Sequence, residues 1–141
     1  MTGEGLRGTN PRNDYEFAVS CMAGVLAAGN LLLGSLLILG SQSRFAAPNF
    51  KHIVSIADPK VWGMALLLAG VSALVGQVWR IKWLGRIGHS IAGFICLTWT
   101  LVFVEAAISN SAASLTGIAA YLIIGLLHCV SAPFAVPPAR I

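Results

Sequence analysis

The sequence predicts an all-α integral membrane fold: a four-helix up-down-up-down bundle with a short interfacial helix in its first link. Three observations predict it. First, 57% of the residues are hydrophobic and only 10% are charged, where an ordinary soluble domain carries about 25% charged residues. Second, the apolar residues gather into four runs, each close to the ~20 residues a helix needs to cross ~30 Å of hydrocarbon. Third, those runs are continuous and lack the period-two alternation of a membrane barrel. Lipid offers no partner to backbone N–H and C=O groups, so the runs must be helices. A chain of 141 residues with a mean hydropathy of +0.81 is too small to hide so much apolar surface from water.

Residues 1–16 are polar, with Gly, Asn, Pro and mixed charge, and read as an N-terminal tail. The transmembrane domain then occupies 17–136, with spans at 18–40, 61–79, 88–108 and 115–132. Pro133, Pro137 and Pro138 end the last span, and 137–141 form a short C-terminal tail. The 41–60 link is the longest. Within it Phe50, Ile53, Val54 and Ala57 recur at helical spacing on one face, which predicts a short helix lying in the interface. The 80–86 link is short and basic, and the 109–114 link is short, polar and uncharged. Short links favour neighbouring helices that reverse direction.

Four spans put both termini and the second link on one side. That side carries six Lys and Arg, including the membrane-surface cluster Arg80, Lys82 and Arg86; the other carries three, Arg44, Lys51 and Lys60. The positive-inside rule then places both termini in the cytoplasm, and the expected location is a bacterial cytoplasmic (inner) membrane. Trp62, Trp79 and Trp83 fall at span ends, where interfacial anchors belong. The formal charge of +4 is spread over these links, so it speaks for anionic lipid. Nucleic-acid binding would need a basic face.

Small residues stand out in the first two spans. Gly24, Ala28, Gly29 and Gly34, then Ala69, Ala73 and Gly76, are the spacing and residue types that let helix backbones approach closely in lipid. They serve packing within one chain or contact between copies. Asn30, mid-span, must face protein, because an amide in hydrocarbon is costly. Glu105 is the one acid within a span and lies near the outer end of the third. With His128 these residues could line a polar path. Glu105, however, lies about 24 Å along its helix from His89, which argues against a relay joining Glu105 to the histidines. Gln77, His89 and His128 share the cytoplasmic half. A haem between the two histidines would need them at matched depth, and the predicted spans set His128 about two turns deeper than His89.

Cys21, Cys96 and Cys129 have no metal-ligand spacing and read as small buried hydrophobes. No phosphate loop, paired acids or nucleophile–base set is present. The expectation is a non-enzymatic protein without cofactor, metal or small-molecule substrate. Its partners are the lipid bilayer and either copies of itself or other membrane subunits.

The polar N-terminal tail, the Pro59-Lys60-Val61-Trp62-Gly63 junction, the glycine-punctuated 64–76 stretch and the basic 80–86 turn together form a recognisable layout. It resembles the small multi-span membrane proteins of tailed bacteriophages, of holin-like type. The resemblance covers about residues 40–90 and assigns a role to no residue. It implies action by helix–helix self-association and pore formation. An accessory subunit of a larger membrane complex and a small ion or proton channel using Glu105 and His128 are the alternatives.

Overall fold

The computed structural model describes residues 11–40, 48–109 and 115–134, without the side chains of 11–13, 48 and 49. Arg7, Arg44 and Arg140, the middle of the last link and the 137–141 tail lie outside the described residues. Every regular element described is helical: α1 (Pro11–Leu39), α2 (Pro48–Ile56), α3 (Pro59–Val78), α4 (Lys82–Ser109) and α5 (Leu115–Ser131), followed by a 3-10 turn, Ala132–Phe134. Four of these helices, α1, α3, α4 and α5 with its 3-10 turn, are long and apolar enough to cross a membrane.

Local chemistry sets the helix ends. Pro11 opens α1, where a missing N–H costs nothing. Helix α1 therefore begins inside the stretch read from sequence as tail. Asp58 caps α3, its carboxylate accepting from the Lys60 N–H at 2.7 Å, and Pro59 follows as the first helical residue. Helix α3 stops at Trp79, and α4 starts at Lys82 rather than at Gly88. The basic link is thus only 79–81. Arg80 makes the reversal with φ of 57°, a left-handed conformation unusual for a residue with a side chain.

The helices pack in chain order, α1 on α3, α3 on α4 and α4 on α5, and α5 returns to touch α1. Backbone-to-backbone closeness governs the first two contacts. A Cβ on Gly34 would lie 2.7 Å from the Gly63 carbonyl oxygen, and one on Gly70 would lie 2.9 Å from that of Ala27. A Cβ on Gly88 would lie 2.5 Å from the Ala69 oxygen, and one on Gly76 would collide with the backbone of Gly85. Small side chains fill the same seams: Ala23, Ala27, Ala69, Ala73 and Ala92 are fully buried. Large apolar side chains point the other way, including Val25, Leu32, Leu36, Leu68, Phe94, Leu101, Ile123 and Leu126. Small inside and large outside is the arrangement of helices packed in an apolar solvent, where close approach rather than escape from water holds them together.

Helix α2 lies across α4. Ile53 is its buried residue, and Phe50 meets Phe103 edge-on at 5.7 Å. Val54, read from sequence onto the same face, is exposed. Trp62 also turns inward: its indole N–H donates to the Ile53 carbonyl at 3.4 Å, and its ring packs on Trp99. Trp79 and Trp83 stay exposed at the α3–α4 turn.

Candidate functional site

Inward-facing residues of α4 recur every three or four positions: Gly85, Gly88, His89, Ala92, Gly93, Cys96, Trp99 and Phe103. Two different interiors lie along this face. Near the far end an aromatic tier fills the bundle. Trp99 meets Trp62 at 5.9 Å and Tyr121 at 5.1 Å, and Phe103 stacks on Tyr121 at 5.4 Å.

Toward the α3–α4 turn the interior is polar. The ring nitrogens His89 Nδ1 and His128 Nδ1 are 2.9 Å apart, one donating and the other accepting, with ring centroids 5.2 Å apart. The residues are 1% and 0% exposed. Helix α4 carries His89 inward because it begins six residues before the predicted span does. Helix α5 brings His128 to the same height, where a Cβ on Gly93 would lie 3.3 Å from the His128 Cβ. The two-turn difference in depth expected from sequence is therefore corrected: the histidines lie side by side.

Other polar groups are buried in the bundle as well. Ser131 lies one turn further along α5 and is fully buried. Asn30 is 4% exposed, on the face of α1 that carries Ala23 and Ala27. His128 Nε2, Ser131 Oγ and Asn30 Nδ2 are buried without hydrogen-bond partners among the described residues, as is Trp99 Nε1. Gln77, grouped with the histidines from sequence, instead joins α3 to α1. Its amide donates to the Ser20 carbonyl at 2.6 Å and to the Ser20 hydroxyl at 3.1 Å. Tyr15 meets Phe134 edge-on at 5.8 Å and ties α1 to the end of α5 at this level.

Glu105 does not join this interior. It is exposed near the far end of α4, and the Ser109 hydroxyl bonds to its backbone carbonyl rather than its carboxylate. Of the proposed polar path, Asn30 and His128 are inside the bundle and Glu105 is outside. The small residues also divide. Gly34, Ala69, Ala73 and Gly76 are buried in seams within the chain, and Gly24 sits against Gln77. Ala28 and Gly29 face outward, and a Cβ on Gly29 would meet nothing within 4 Å. Cys96 is buried, whereas Cys21 and Cys129 are exposed, contrary to the reading of all three as core residues. Arg80, Lys82 and Arg86 are exposed together at the turn.

Sequence reasoning missed Ser20, Ser131 and Trp99. Ser131 was detectable, since it follows His128 at i+3 on one helical face. The described residues contain no group of three or more His, Cys, Asp or Glu placed to hold a metal ion. The chain matches no protein family, no curated protein and no solved structure.

Proposed function

We propose that this chain is a polytopic membrane protein that crosses the bilayer four times, up and down, and acts without catalysis through helix–helix self-association, forming a pore in the holin-like manner. The basic cluster at the α3–α4 turn supports a cytoplasmic position for that end and for both termini, in a bacterial inner membrane. The outward large apolar side chains supply the lipid-facing surface.

One observation carries the association. Nearly every glycine in the helices is taken up by a neighbour in the same chain, but Gly29 is open, with Ala28 beside it. Cys21, Val25, Ala28 and Leu32 continue that exposed face at i, i+4, i+7 and i+11. A helical glycine costs roughly 0.5–1 kcal/mol relative to alanine, and in lipid such a shallow face is where a second helix backbone fits. The aromatic tier occupies the far half of the chain's own interior, so a conducting path belongs between copies.

Expression in bacteria tests this reading. The wild-type chain should extract in mild detergent as a multimer and raise membrane permeability, and Gly29→Leu should reduce both. A monomer that leaves permeability unchanged would remove the proposal. Recovery with different membrane chains instead would favour an accessory subunit.

A further inference from the structure

The two histidines that touch inside the bundle have no role in an association surface on α1, and they place two titratable rings in its interior. Among the described residues, the buried polar side chains are Ser20, Asn30, His89, Thr100, His128 and Ser131; none is an acid, a lysine or an arginine. Element by element, α1 offers the uncharged Ser20 and Asn30 and, one turn before Ser20 at the turn end, the half-buried Glu16; α3 offers Ala69, Ala73 and the uncharged Gln77. Helix α4 adds Cys96, two turns from His89, and Arg86, one turn away but exposed; α5 adds Ser131 and the exposed Cys129.

We propose that the His89–His128 pair is a proton-binding site that holds one proton and excludes a second, reached through the polar groups at the α3–α4 turn end of the bundle. The geometry fixes the stoichiometry. A bond between two Nδ1 atoms needs one N–H and one lone pair, so the two Nδ1 atoms share a single hydrogen. The accepting ring must then carry its other hydrogen on Nε2. The donating ring has a free lone pair on its Nε2, and only that atom can take a proton without breaking the bond. Once it has done so, both Nε2 atoms carry hydrogen. The bridging hydrogen can then pass from one Nδ1 to the other, moving the charge between rings with no net change in bonds. A second proton would have to enter at an Nδ1. That would set two N–H groups and two positive charges against each other, with no buried acid among the described residues to offset them.

Access follows from the polar atoms around the pair. His128 Nε2 faces no partner, and Ser131 Oγ, one turn on along α5 toward the turn end, is also without a partner among the described residues. A buried polar atom left unsatisfied costs about 1–3 kcal/mol, and water, which makes 2–4 hydrogen bonds, is the ligand that satisfies such groups together. The other end is closed to water by Trp99, Tyr121 and Phe103. Protons therefore arrive through Ser131 from the turn end.

Histidine-selective 15N labelling of the full chain in lipid nanodiscs tests this between about pH 8 and pH 4. The expected result is that His89 and His128 move together in one step, taking up one proton between them. In His128→Asn the paired step disappears and His89 titrates as a single ring. Ser131→Val should slow hydrogen exchange at His128 Nε2 several-fold, with the paired step retained. Two independent steps, uptake of two protons, or no uptake by either ring would overturn the site. Unchanged exchange in Ser131→Val would overturn the access route.

Discussion

At the residue scale, Arg80 is the clearest point of conflict between side chain and backbone. It turns the chain from α3 into α4 with a positive φ, the one residue other than glycine to do so among those described. A left-handed conformation costs an L-residue roughly 1–2 kcal/mol. Arg80→Gly should therefore stabilise the protein by about 1 kcal/mol, read as a higher midpoint of thermal unfolding in mild detergent. A lower midpoint would mean that the guanidinium holds the turn through contacts stronger than the strain. The histidines show what residue-level reading misses. Hydropathy placed the start of the third span at Gly88 and so left His89 at a boundary. Lys82 and Arg86 hid the true start, because long basic side chains can lie along a helix and reach outward while its backbone is already packed. With α4 beginning at Lys82, His89 moves about 9 Å inward and meets His128.

At the scale of elements, the seams between helices depend on missing side chains. Gly88 admits α4 against the backbone of α3, where an added methyl group would stand 2.5 Å from both the Ala69 oxygen and the Ala73 nitrogen. Neither atom can swing away, so Gly88→Ala should cost about 1–3 kcal/mol, the usual penalty of overpacking. Gly29→Ala is the matched control. Nothing in its own chain lies within 4 Å of its added Cβ, so in the dissociated chain it should leave the midpoint unchanged or raise it slightly through helix propensity. Equal losses in both variants would show that the seam is not what the glycines serve. The sequence made the small-residue pattern visible but not its division. Ala27 and Ala28 are adjacent and chemically identical; only the direction in which α1 faces α3 decides that one is buried and the other open. Helix α2 was legible because its apolar spacing is helical, whereas the inward turn of Trp62 was not, since its partners Ile53 and Trp99 come from two other helices.

For the whole molecule, four long apolar helices were plain from hydropathy alone, because the length and continuity of an apolar run are local properties. Burial is not local. The seams joining α1, α3 and α4 are small within, large side chains fill the interior only beyond them at the aromatic tier, and many large apolar side chains face outward; this gives the outward faces of α1 and α5 their meaning. Most of α5 beyond Gly125, His128 and Ser131 remains uncovered, and the α1 face with Gly29 stays open along its length. The most direct test of association through that face uses Cys21, which is exposed and shares it with Val25 and Ala28. In membranes from cells expressing Cys129→Ala, mild oxidation should link two copies through Cys21, and Gly29→Leu should abolish the link. A chain that stays unlinked under oxidation, or links equally well with Leu at position 29, would contradict self-association through α1.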